Sequence, residues 1–243
     1  MRKIIYLLPL IALMASCMQI DNYDEPSSRL SGKVIDQTTG QNFIAGHGDF
    51  NIRIWETSFA DNPNPSPQDI HVRQDGTFNN ERLFAATYAM QPYGGPFWPT
   101  EREEGIELKK SLTKDFSVTP YLHIVDVTSN LVGTNLKLTC RLKAPVTQNL
   151  PRVLDIRPFV SLTEYVGESS AITPYNGSAY QVNINTNWWD GVGDMATGQG
   201  SQVYTIPDLP LKSGRTYYVR IGARVEDTYR KYNYSDIITV TVP

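Results

Sequence analysis

The chain of 243 residues carries 22 Lys and Arg against 25 Asp and Glu, a formal net charge of −3, with 11% aromatic residues and two cysteines. A nucleic-acid partner would want a basic face, and this balance offers none. The length leaves room for two domains of about 100 residues each.

Arg2 and Lys3 make a basic start, residues 4–14 form an apolar core, and Ala15-Ser16 stand before Cys17. These are the parts of a secretory signal. About a dozen apolar residues are too few to span a ~30 Å bilayer core as a helix. Cysteine straight after Ala-Ser resembles the bacterial lipoprotein signal. The resemblance implies that residues 1–16 are removed and that Cys17 becomes an acylated first residue. Each buried CH₂ of a lipid contributes ~0.8 kcal/mol, and several chains together make a stable anchor. Removing Arg2 and Lys3 takes the formal charge from −3 to −5. Residues 17–28 are polar and acidic with no apolar period, as a flexible tether is. An acidic run behind the lipidated cysteine also resembles the surface-export signal of Bacteroidetes lipoproteins, which implies an outer-membrane protein facing outward. With Cys17 lipidated, Cys140 has no disulfide partner. It shares a strand face with Leu136, Leu138 and Leu142, the setting of a small buried hydrophobe.

A first β-domain is expected over residues 29–118. Residues 30–36 alternate and lead into the turn residues Thr38-Thr39-Gly40, and residues 52–56 alternate again. Asn62-Pro63-Asn64-Pro65-Ser66-Pro67 is too rich in proline for a sheet ladder and reads as an exposed loop. Residues 70–73, the Asp75-Gly76 turn, a strand over 83–90, and strands at 106–108 and 114–118 complete the set. Short strands, punctuated by turns and without a helical period, predict a β-sandwich.

The order Ser31-Gly32-Lys33-Val34, Thr39-Gly40, Asp75-Gly76-Thr77-Phe78 and Thr87-Tyr88 resembles a transthyretin-like, carboxypeptidase-regulatory-like sandwich. Gly95-Pro96-Phe97-Trp98-Pro99 and Phe116-Ser117-Val118-Thr119-Pro120-Tyr121 resemble the Bacteroidetes surface lipoproteins of domain-of-unknown-function family 3823. That resemblance implies company: a TonB-dependent outer-membrane transporter of the starch-utilisation type and its substrate-binding lipoprotein. It implies no catalytic residues.

Thr119-Pro120 reads as a hinge into a second domain over residues 119–243, with strands at 122–127, 136–142 and 153–161. In residues 206–224, Tyr217, Val219, Ile221 and Ala223 fall on one face, while Tyr218, Arg220 and Arg224 fall on the other. Leu211, a Gly214 turn and Tyr217 opening an alternating strand resemble the tyrosine corner of fibronectin type III and immunoglobulin-like sandwiches. Residues 237–242 read as the last strand.

Catalytic chemistry is hard to find. His47, His71 and His123 lack metal-ligand spacing, no Gly-x-Ser-x-Gly elbow occurs, and Glu101, Glu103 and Glu104 surround Arg102 in a solvated loop. Asp190-Gly191-Val192-Gly193-Asp194 lacks the ligand spacing of a calcium-binding EF-hand loop. No catalytic residue, metal site or cofactor is expected. Binding has better material. Asn187, Trp188, Trp189 and Asp190 put adjacent indoles beside short polar groups, and neighbours on a strand point opposite ways. An exposed Trp there could stack on a sugar; the other reading is that both pack the core. Trp98, between Phe97 and Pro99, faces the same choice between ligand contact and domain-junction packing.

The expected protein is therefore all-β: two tandem β-sandwiches, transthyretin-like and then fibronectin III-like, on a lipidated tether. The leading functional expectation is a non-enzymatic accessory or ligand-binding subunit of a TonB-dependent glycan or peptide uptake complex. The alternatives are a polysaccharide-active enzyme or enzyme accessory, and a structural adhesion or assembly subunit.

Overall fold

The computed structural model describes residues 25–58 and 64–243. Cys17, the signal segment and residues 17–24 of the tether lie outside the described residues, as do Asn62 and Pro63 of the proline-rich loop.

The first domain is built from β1 (Ser28–Asp36), β2 (Asn51–Glu56), β3 (Gln68–His71), β4 (Thr77–Leu83), β5 (Ala86–Tyr93), β6 (Glu103–Leu108), β7 (Ser111–Thr113) and β8 (Phe116–Val118). The sheet β3-β2-β5-β6 faces a second sheet centred on β1. On one side β1 pairs antiparallel with β4; on the other it runs parallel first to β7 and then to β8. Strands β7 and β8 flank a kink at Lys114-Asp115, and Gly32 lies under it. A Cβ on Gly32 would stand 1.9 Å from the Lys114 carbonyl oxygen, so the close approach requires glycine. Residues 83–90 are not one strand: β4 ends at Leu83 and β5 begins at Ala86. Leu30, Val34, Ile52, Ile54, Phe78, Met90 and Phe116 fill the space between the sheets.

The second domain contains β9 (His123–Val132), β10 (Asn135–Lys143), β11 (Val153–Ser161), β12 (Val182–Thr186), β13 (Tyr204–Pro210), β14 (Arg215–Val225), β15 (Tyr232–Tyr234) and β16 (Ile238–Val242). A sheet ordered β13-β10-β9 faces one ordered β12-β11-β14, whose far edge is shared by β15 and β16. This is the strand arrangement of a fibronectin III-like sandwich. Alternation on β10 sends Leu136, Leu138, Cys140 and Leu142 into the core. Burial pushes the Cys140 thiol up to about 12, which keeps it protonated and inert.

The corner before β14 is closed as its sequence suggests. The Tyr217 hydroxyl accepts the Lys212 N–H at 3.1 Å and lies 3.4 Å from the Lys212 carbonyl oxygen. Tyr217→Phe should cost about 1–2 kcal/mol, since it strands a partly buried backbone group while keeping the ring. The denaturant midpoint should fall with the m-value unchanged; an unaltered midpoint would show that the corner does not hold the fold.

The outer face of β14 is also covered. Phe159, Val166, Tyr232 and Tyr234 form a small third cluster there, with Ala171 and Tyr218 packed against it. Val166 and Ala171 belong to the long connection between β11 and β12, which crosses that face.

The domains are joined by more than the chain. Thr119-Pro120 is not a free hinge: Trp98 N–H donates to the Thr119 carbonyl at 2.9 Å and Tyr121 N–H to the Pro96 carbonyl at 3.2 Å. Asn233, 3% exposed, donates from Nδ2 to the Pro96 carbonyl at 2.8 Å and accepts the Leu122 N–H at 3.2 Å. Gln74 of the first domain donates to the Glu164 carbonyl at 2.7 Å and accepts from Val166 N–H at 3.3 Å. Arg220 of β14 reaches across to the Ala45 carbonyl at 2.9 Å.

Candidate functional site

A cleft of about 530 Å³ lies where the two sandwiches meet. One wall is the connection after β1, from Asp36 to Ile44; the other comes from the start of β9, the end of β10, Thr197 and the residues that follow β15. The loops after β10, β12 and β14 are held together at this pole. Ala144 N–H donates to the Gly198 carbonyl at 2.8 Å, and Glu226 N–H donates to the Arg152 carbonyl at 2.8 Å. A fibronectin-like sandwich presents its variable loops at such a pole, and here the first domain is packed beside them.

Asp36, Thr38 and His123 form a clasp at the cleft. Asp36 is 6% exposed, and its Oδ1 accepts the Thr38 N–H at 2.8 Å and the Thr38 hydroxyl at 2.6 Å. Thr38 Oγ1 lies 2.9 Å from His123 Nε2, which is also 3.5 Å from Asp36 Oδ2. A hydroxyl has one proton, and this one goes to Asp36, so His123 must bring its own proton on Nε2. Burial pulls the His123 pKa below its ordinary value; Asp36 opposes the shift and Lys143 adds to it. A neutral imidazole with Nε2–H satisfies all these contacts. A nucleophilic triad needs the reverse arrangement, with the imidazole accepting the hydroxyl proton. Thr38 and His123 therefore tie the two domains together across the cleft.

Other cleft side chains are uncommitted. Among the described residues, those of Gln41, Lys143 and Asp236 make no hydrogen bond or ion pair, although all three line the cleft. Beside them stand Phe43, Pro120, Leu122 and Ile124. Apolar walls carrying a few free polar groups are what a small polar ligand needs.

The adjacent tryptophans divide into one buried and one exposed. Trp188 and Trp189 occupy a 3-10 turn after β12, not a strand. Trp188 is fully buried, packs in the second-domain core, and donates from Nε1 to the Asp194 carbonyl at 3.2 Å. It is no ligand contact, because the turn points its indole inward against Gly193, where any Cβ would lie 2.1 Å from the ring. Trp189 is 53% exposed, and Asn187 Nδ2 donates to Asp190 Oδ2 at 3.1 Å beside it. None of these residues lines the cleft, although Thr197 of the same connection does. Asp194 Oδ1 is occupied by the N–H groups of Ala196 and Thr197 and by the Thr197 hydroxyl, which closes a turn. No group of three or more metal-ligating side chains occurs among the described residues.

Trp98 takes the junction position, one of its two readings. It is half-buried, packs against the second-domain core, and meets the Tyr121 ring at 5.2 Å. Its Nε1 is buried without a hydrogen-bond partner. Trp55 lies under the Arg102 guanidinium, 4.4 Å from the ring centroid. The cleft residues escaped the sequence reading because they come from both domains; the only local sign was the Asp36-x-Thr38 turn.

Residues 28–119 match the N-terminal domain of the DUF3823 proteins of unknown function, and residues 122–239 match the domain of unknown function DUF3823_C. The chain belongs to the DUF3823 family. No curated protein matches it. Among solved structures, it is similar to a candidate carbohydrate-binding protein from Bacteroides uniformis. They share 20% identity with a TM-score of 0.72, over 89% of this chain and 99% of that one. A DUF3823 family protein from the same species shares 22% identity at a TM-score of 0.70, over 90% of this chain and 100% of that one. One from Parabacteroides merdae shares 19% at 0.64, again over 90% and 100%. Identities this low speak for a common DUF3823 fold. Both sandwiches, and so the cleft between them, lie within the matched span.

Proposed function

We propose that this DUF3823 protein is a non-enzymatic, lipid-anchored outer-membrane protein, exposed at the cell surface, that captures a glycan for a TonB-dependent transporter and its substrate-binding lipoprotein. The interdomain cleft carries this reading: uncommitted Gln41, Lys143 and Asp236 stand beside apolar walls in a space of about 530 Å³, within the range of small-ligand sites. Support for the ligand class comes from the similar fold of the candidate carbohydrate-binding protein. The partner and the anchor rest on the signal-like N-terminus around Cys17 and on the family resemblance. The mechanism is proximity. A lipid on Cys17 confines the protein to the membrane plane, where a high effective concentration lets a weak contact serve.

Two measurements test this. Gentle extraction of the outer membrane, followed by mass spectrometry of what accompanies the tagged protein, should recover a TonB-dependent transporter; recovery of the protein alone sinks the partner. A screen of soluble polysaccharides should find a ligand whose affinity falls at least ~10-fold in Lys143→Ala or Asp236→Ala, about 1.4 kcal/mol. Melting should be unchanged in Lys143→Ala, whose side chain bonds nothing in the fold, and slightly lower in Asp236→Ala, because Asp236 acts on the buried Arg220 guanidinium. Full affinity in both variants would remove the cleft from consideration.

A further inference from the structure

A second hollow, of about 210 Å³, lies where the connection between β5 and β6 meets that between β14 and β15. None of the tryptophans lines it. Small-ligand sites usually have ~300–1,000 Å³, so this space suits a fragment no larger than one ring.

Its aromatic wall is fixed in advance. Arg53 and Asp69 face each other across β2 and β3, and Nε and Nη2 each donate at 2.8 Å to a separate carboxylate oxygen. The guanidinium so held lies 3.7 Å from the centroid of the Tyr93 ring and covers one face of it. Tyr229 meets Tyr93 edge to face at 5.5 Å and is 40% exposed. A ring braced on one side and open on the other loses little freedom when something stacks on it. Gly94 keeps the approach clear: it sits at φ +82°, and the only atoms near its missing Cβ are those of the Tyr229 ring at 3.9 Å.

Polar groups stand at the same place. Tyr121 lines the hollow, is 5% exposed, and its hydroxyl has no hydrogen-bond partner among the described residues. Burial, with smaller contributions from Asp227 and Tyr229, pushes that hydroxyl up to about 12, so it remains both donor and acceptor. Asp227 is half-buried and accepts the Arg230 N–H at 2.6 Å on Oδ1; burial raises its pKa, against the pull of the backbone N–H groups of Arg230, Tyr229 and Asp227 itself. The Arg53 charge is matched by Asp69, so Asp227 is the carboxylate that lines the hollow.

We infer that the Tyr93–Tyr229 hollow is a subsite for a single neutral hexopyranose unit, which stacks its C–H face on Tyr229 and bonds its hydroxyls to Tyr121 and Asp227. A pyranose ring combines an apolar face with a hydroxyl edge, and the hollow offers an open ring with an unpaired phenol and a carboxylate. Uronic acids and sulfated sugars would meet Asp227 and be disfavoured. The assignment rests on the glycan-binding reading and gives it a sugar class and a position. Because each domain supplies part of the wall, a bound sugar would also hold the sandwiches together.

The test is calorimetric titration of the full-length protein in detergent. The probes are methyl glycosides of glucose, galactose and mannose, neutral hexasaccharides of the same sugars, and glucuronic acid. Saturation-transfer NMR adds a map of which sugar protons touch the protein. A neutral probe should bind with its C–H protons saturated. Tyr229→Ala should weaken it at least ~10-fold and Tyr121→Phe about 3-fold or more, with the melting temperature unchanged for Tyr121→Phe, whose hydroxyl bonds nothing in the fold. Binding of neutral probes that is indifferent to Tyr229→Ala but lost in Lys143→Ala would overturn the subsite and leave the glycan reading standing in the cleft. Preference for glucuronic acid would overturn the neutral class. No binding of any probe would bring down both.

Discussion

Trp188→Ala should lower stability by about 3–5 kcal/mol, the cost of emptying a large aromatic site in a packed core. For a chain of this size that is a fall of roughly 10 °C in melting temperature. Trp188 is fully buried among second-domain core residues and gives its indole N–H to the Asp194 carbonyl at 3.2 Å. Removing it therefore opens a cavity and takes one of two donors from the Asp194 carbonyl, which keeps the Gly198 N–H at 2.9 Å. Gly193 cannot relax the loss, since it is the close approach to this same ring that excludes a side chain there. Trp189→Ala, one residue on, should change stability by no more than about 0.5 kcal/mol, because its side chain is 53% exposed. Chemical denaturation of both variants decides it. Equal losses would mean that the turn does not bury one ring and expose the other.

That pair also shows what the sequence could carry. Alternation placed Leu136, Leu138, Cys140 and Leu142 on one face, and each is buried, because a strand's period of two is a local property. The Tyr217 corner was legible for the same reason: its partner is Lys212, five residues away. Trp188 and Trp189 were open to misreading because the chain leaves β12 for a 3-10 turn stabilised by contacts with Gly193 and Asp194, which no period announces. The cleft was harder still. Asp36 and His123 are 87 positions apart, and their meeting depends on how two separately folded sandwiches dock. Tyr93 and Tyr229 come together in the same way. Candidate core residues were thus readable strand by strand, while the candidate sites, made by docking, were not.

Docking itself turns on Arg220, and Arg220→Met should cost about 3 kcal/mol, the scale of hydrogen bonds from a charged donor to buried acceptors. The side chain is 2% exposed, donates from Nε to the Ser235 carbonyl at 2.8 Å and from Nη1 to the Ala45 carbonyl at 2.9 Å, and lies 4.6 Å from the Tyr234 ring centroid. Among the described residues no carboxylate bonds it directly. Burial pulls the guanidinium down to about 10, with Tyr234, Asp236 and Asp49 acting against that shift, so it remains charged at neutral pH. A buried cation held by carbonyls is costly to assemble and worse to dismantle, because methionine leaves the carbonyls without donors. Lysine should recover less than half the loss: its ammonium is a point charge, while the planar guanidinium bonds carbonyls in two directions at once. Ala45 belongs to the first domain and Ser235 to the second, so the loss should also uncouple them. In differential scanning calorimetry, Arg220→Met should split one transition into two, with the second-domain transition moving furthest because Ser235 and Tyr234 lie there. A single transition at an unchanged temperature would show that the sandwiches are held by the remaining contacts, Asn233 to Pro96 and Gln74 to Glu164, and that Arg220 is dispensable.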